Sequence, residues 1–250
     1  MDLAYNITCT MLCISTIICS LELLSLKPFN LAILVQNKKL NYSHLISVKW
    51  ILYLQIISSI LVVLFCLKDF HVYMILGLWI VFLSNLYLYV IKSSGRDGAD
   101  QLRLITLGIL ALASLVGKDS FYTYSIIFIS IQVIISYITS GISKLNSSYW
   151  RKGDALGKIL NNYTYGNQYA AILLLNNKGL NRALTYAPIF LMITLPFTFI
   201  SSEINYLLLS LISLFGFHLG TALLMGLNDF LFTFPATYPC LIAIHITIHN

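Results

Sequence analysis

Charge is the scarcest thing in this chain. Only 10% of its 250 residues are Asp, Glu, Lys or Arg, against about 25% in a soluble domain. Mean hydropathy is +0.84, and 58% of residues are hydrophobic. No polar stretch is long enough to make a separate soluble domain, so a single membrane domain over residues 1–250 is expected. Acidic residues are fewest, nine against fifteen basic ones, which leaves a formal charge of +6. That excess lies scattered between apolar runs rather than in one patch, so it is no nucleic-acid signal. Alternation of polar and apolar residues is missing as well, which excludes a transmembrane β-barrel. There is no internal repeat and no low-complexity segment. The first residues, Met1 to Asn6, lack the basic start of a cleaved signal peptide, so the first apolar run is expected to be retained as a helix. Cysteines are few, and Cys9, Cys13, Cys19, Cys66 and Cys240 all sit within apolar runs. They are expected to pack as small hydrophobes rather than to form disulfides or hold metal.

What the chain has in abundance is long apolar sequence. A helix needs about 20 such residues to cross a bilayer. The runs fall at roughly 5–26, 46–67, 70–91, 102–117, 121–143, 183–201, 204–226 and 231–248. The fourth is short and the last contains Pro235 and Pro239, so the count is seven or eight. The expected fold is therefore all-α: a polytopic bundle of about seven or eight transmembrane helices. With eight spans, the connections 27–49, 92–103, 143–182 and 227–230 share one side and hold 13 of the 15 basic residues. Only Lys68 and Lys118 fall on the other side. The positive-inside rule makes the basic side cytoplasmic, which places loops 27–49, 92–103 and 143–182 there.

The longest connection, 143–182, is more than a loop. Ala155, Leu156, Ile159 and Leu160 recur at helical spacing beside Lys152 and Lys158, the pattern of a short amphipathic helix in the interface. The run Tyr169 to Leu175 is too short to span, and is expected to be an interfacial or re-entrant piece. Together they make an interfacial segment at about 150–180.

Ionisable groups inside the spans are few, and each is a candidate for function. Tyr137, Ser140, Gly141 and Lys144 fall at i, i+3, i+4 and i+7 and so share one helix face. A lysine at the end of an apolar span either snorkels to the interface, with Trp150 as an anchor, or faces the bundle interior. His218 lies deep in the seventh run, on a face with Leu214, Thr221, Ala222 and Met225. A neutral histidine bonded to a backbone carbonyl would satisfy that position. A polar pocket shared with Lys144, at matched depth on a nonadjacent span, is the functional alternative. Gly216 and Gly220 are read as a small-residue surface for a close neighbouring helix. His245 and His249, near the end of the chain, are expected to reach the interface.

Two stretches carry a family resemblance. Tyr137-x-x-Ser140-Gly141-x-x-Lys144-Leu145-x-Ser147-x-x-Trp150-x-x-Gly153-x-Ala155-Leu156 resembles the signature of the HTTM domain. This is the membrane domain of the vitamin K-dependent gamma-carboxylase superfamily. Phe217 to Leu227 resembles a later helix of the family in its bacterial, sporulation-delaying protein B-like branch. Gly98-Ala99-Asp100-Gln101-Leu102 resembles the turn that opens another family helix, so the likeness spans about 92–245. The resemblance implies that Lys144 stands where the carboxylases have the base for vitamin K hydroquinone. It implies that the bacterial branch acts, with partner proteins, in maturation or export of a secreted peptide of the toxin or bacteriocin type. Three readings stand. In the first, Lys144 and His218 are a catalytic pair in peptide maturation, with Tyr137, Ser140, Gly141, Trp150 and Thr221 binding or positioning. In the second, the chain is a quinol-coupled enzyme, with a quinone as cofactor. In the third, it is a non-catalytic membrane partner or transport subunit.

Overall fold

The structure is a computed structural model that describes residues 1–26, 42–66, 71–92, 96–162 and 166–250. Most of the expected loop 27–49, and the tip of loop 92–103, lie outside the described residues. Among the described residues every regular element is a helix. Among the described residues, eight helical segments are long and apolar enough to cross a membrane. The chain divides into two compact units, one of residues 1–129 and 232–243, the other of 130–231 and 244–250.

The first unit is built on α1 (Asp2–Ser25), α2 (Tyr42–Cys66), α3 (His71–Ile91) and α4 (Gly98–Val116). Each packs on its neighbour in sequence. The start of α4 is written in the chain: Asp97 caps it by accepting from the N–H groups of Ala99 (2.9 Å) and Asp100 (3.0 Å). Its end is written too, in Gly117, whose φ of +62° gives the left-handed turn that closes the helix. Buried Leu12, Leu52, Leu78 and Leu107 fill the interior. Lipid tails are as apolar as leucine, so specificity between spans needs polar contacts. Tyr5 donates to the carbonyl of Leu110 at 2.8 Å, Ser15 meets Thr233 at 3.0 Å, and Ser20 donates to Gln55 at 2.8 Å. The cysteines behave as packing residues. None of the five forms a disulfide, and Cys9, Cys13 and Cys240 are buried.

The second unit contains the C-terminal part of α5 (Asp119–Asn146), then α6 (Ser148–Arg151), α7 (Ala155–Leu160) and α8 (Gln168–Asn176). It continues with α9 (Lys178–Thr194) and α10 (Ile204–Met225). The amphipathic helix and the short apolar run of the 143–182 connection are both present, as α7 and α8. They pack on each other through Leu160, Ala171 and Leu174, with Leu156 and Met225 against them. Helix α7 is also tied down by polar groups. The first N–H groups of a helix have no partner within it. Here the Leu156 N–H donates to Thr185 Oγ1 (3.3 Å), and that of Gly157 donates to the buried Asn181 (3.1 Å). Gly153, at φ +73°, makes the turn into α7, and a Cβ there would sit 2.9 Å from Arg182 Cγ. The Tyr186 hydroxyl donates to the Arg151 carbonyl at 2.6 Å.

His245 is not exposed at the protein surface. It is 1% exposed, and its Nε2 bonds the Ser201 carbonyl at 3.0 Å, while His249 bonds that of Phe199 at 3.1 Å. The carbonyls at and just after the end of a 3₁₀ turn (Leu195–Phe199) need donors, and the imidazole N–H groups supply them. Gly216 and Gly220 do not receive a neighbouring helix either. A Cβ on either would meet nothing within 4 Å.

Candidate functional site

Helix α5 presents Tyr137, Ser140, Gly141 and Lys144 on one side, as their spacing requires. Gly141 lets α9 come close: a Cβ there would lie 2.8 Å from Ile193 Cγ1 and 3.3 Å from Met192 Cβ. That approach brings Met192 to the lysine, with its Sδ 3.8 Å from Lys144 Nζ. The ammonium also donates to Ser140 Oγ, one turn back, and lies 3.5 Å from the Ser140 carbonyl. Trp150, on α6, offers its ring face 5.5 Å away, a cation–π arrangement. Lys144 stands in the last turn of α5, where the helix dipole favours a cation.

His218 comes to the same face of α5 from α10. It is 2% exposed, and Tyr137 is 1% exposed. The Tyr137 hydroxyl and His218 Nε2 are 2.9 Å apart, with either able to donate according to the imidazole tautomer. The Phe230 ring stacks on the imidazole at 6.2 Å between centroids, and Phe217 flanks it at 5.2 Å. The Thr221 hydroxyl donates to the His218 carbonyl at 2.8 Å. Neither lipid-facing nor carbonyl-bonded through Nε2, His218 is held by a phenol.

The sequence-derived set is thus brought together in two linked groups. Lys144, Ser140, Gly141 and Trp150 form the outer group; Tyr137 and His218, two turns along α5, form the inner one. Lys144 and His218 do not bond each other directly. Among the described residues, no carboxylate lies within ion-pair distance of Lys144. Its neighbours are a hydroxyl, a carbonyl, a thioether and an indole face, all neutral. An ammonium so placed could receive an acidic group, and a phenol in contact with an imidazole could pass a proton. The same unit holds an apolar cavity of about 320 Å³, with Trp150 and Thr221 in its wall and the rest from α7, α9 and α10.

A second polar centre was not anticipated. In the first unit, Asp100 accepts from both Lys92 and Arg103, the latter at 2.7 Å. Arg103 is 6% exposed and also reaches Asn85 at 3.3 Å and Cys19 Sγ at 3.0 Å. Sequence reasoning placed Lys92 and Arg103 in a loop. The missed signal was Asp97, a helix cap that starts α4 four residues earlier than hydropathy suggests. It sets Asp100 and Arg103 one turn apart on that helix. Comparison with protein-family models, with curated proteins and with solved structures finds no match for this chain.

Proposed function

We propose that this chain is an HTTM-like integral membrane protein of the sporulation-delaying protein B type, acting in the maturation or export of a secreted peptide. In this reading it resides in the cell membrane with its basic loops in the cytoplasm, beside a second maturation protein. Lys144 anchors or deprotonates an acidic group of the peptide. The Tyr137–His218 pair takes up or returns the proton, and Trp150 and Gly141 fix where the ammonium sits.

One observation carries the reading. The two stretches that resemble the family, 81 residues apart at their contact, meet through the buried 2.9 Å bond between Tyr137 and His218. A lysine that only snorkels needs no cage of hydroxyl, thioether and indole. The test is co-expression with the secreted peptide, reading mature peptide by mass spectrometry and membrane level by immunoblot. Lys144→Ala, His218→Ala and Tyr137→Phe should remove mature peptide while the protein stays in the membrane. Lys144→Arg keeps the charge but cannot serve as a base, so it separates anchoring from proton transfer. Full maturation by Lys144→Ala would end the proposal.

A further inference from the structure

The cavity of the second unit has a wall unlike that of a site for polar ligands. Its volume, about 320 Å³, falls in the range of small-molecule pockets. Only two hydroxyls line it, and both are already used: Ser213 donates to the Leu209 carbonyl at 2.8 Å, and Thr221 to that of His218. The remaining polar group in the wall is the indole of Trp150. A peptide laid here would bury amides with no partner, at several kcal/mol apiece. A quinone would find no donor for its ring oxygens beyond that indole. Hydrocarbon needs none.

The cavity also has direction. From Ser213 to Met225 along α10 is about 18 Å at 1.5 Å per residue, somewhat more than half of a roughly 30 Å hydrocarbon core. Gly216 and Gly220 line this stretch and leave it open. Its Met225 end meets Leu156 and Leu160 of α7, within the most basic segment of the chain. Residues 143–182 hold Lys144, Arg151, Lys152, Lys158, Lys178 and Arg182 against one acid, Asp154, which is paired to Lys158. Arg151, Lys152 and Lys178 are exposed.

We infer that this groove is a binding site for an anionic membrane phospholipid, one acyl chain lying along Gly216 and Gly220 and the phosphate against Arg151 and Lys152. The inference does not depend on peptide maturation, since it uses neither Lys144 nor His218.

The test uses the full chain with Trp50 and Trp79 replaced by Phe, leaving Trp150 as the reporter, in bilayers containing lipid brominated on the acyl chain. Brominated phosphatidylglycerol should quench Trp150 in preference to brominated phosphatidylcholine by at least about fivefold in apparent affinity, the contribution of one basic residue. Arg151→Gln with Lys152→Gln, both at the surface, should remove most of that preference. Gly220→Leu, which adds bulk where there is open space, should lower quenching by both lipids. Equal quenching by the two lipids overturns the inference, as does preference retained in the double Gln variant. Displacement of the brominated lipid by menaquinone or by the matured peptide, at lower concentration than by unlabelled phosphatidylglycerol, overturns it too.

Discussion

The two units each hold basic side chains among apolar helices, and they neutralise them in opposite ways. In the first, Arg103 and Lys92 converge on the carboxylate of Asp100, and the arginine also reaches Asn85 and Cys19. In the second, Lys144 meets only neutral groups: Ser140, Met192 and the face of Trp150. Charge satisfied internally has nothing left to offer a ligand. Charge held by dipoles and a π face keeps most of its field, and is where an anionic substrate group would go. The comparison teaches that buried cations differ in what surrounds them, a carboxylate in one unit and neutral groups in the other, and the proposed function rests on the second kind.

Breaking the first arrangement should give the largest effect. Asp100→Asn removes the carboxylate on which Lys92 and Arg103 converge, and removing one partner of a buried pair costs about 3–5 kcal/mol. The expected outcome is a marked fall in the unfolding midpoint of the purified protein in detergent, measured by tryptophan fluorescence. The converse change makes the second region resemble the first. Ser140→Asp places a carboxylate one turn from Lys144, and should hold or raise the midpoint by about 1 kcal/mol while abolishing peptide maturation. A variant that gained stability and kept full maturation would show that the uncompensated charge has no task. The smallest effect is expected at Asp154–Lys158, an i,i+4 pair with side chains 38% and 44% exposed. Asp154→Asn should move the midpoint by no more than about 0.5 kcal/mol, because solvent screens such a pair.

Most of the fold was legible because the bilayer imposes one simple demand, that a crossing segment be long, apolar and helical. The spans expected from hydropathy match the eight helices to within a few residues, apart from the ends set by caps and prolines. The start of α4 belongs to Asp97, and Pro235 and Pro239 divide the last span into α11 (Asn228–Thr233), a 3₁₀ turn (Pro235–Thr237) and α12 (Tyr238–His249). The candidate site was partly legible. The i, i+3, i+4, i+7 spacing placed Tyr137, Ser140, Gly141 and Lys144 on one face, and it held. What spacing left open was which of them His218 meets. The partner is Tyr137, a phenol, and not the lysine.

By itself the sequence determined that the chain is a multi-span helical membrane protein, because apolar length and the scarcity of charge are local properties that no packing can alter. Only the tertiary structure decided which cations are compensated. Arg103 and Lys144 each stand near the end of an apolar run and look alike in one dimension. Their difference lies in whether a carboxylate reaches them across space. For Arg103 the carboxylate stands one turn away on its own helix, started by the cap at Asp97, and Lys92 comes to it from the end of α3. For Lys144 the approach of α9 over the bare backbone of Gly141 brings a thioether instead.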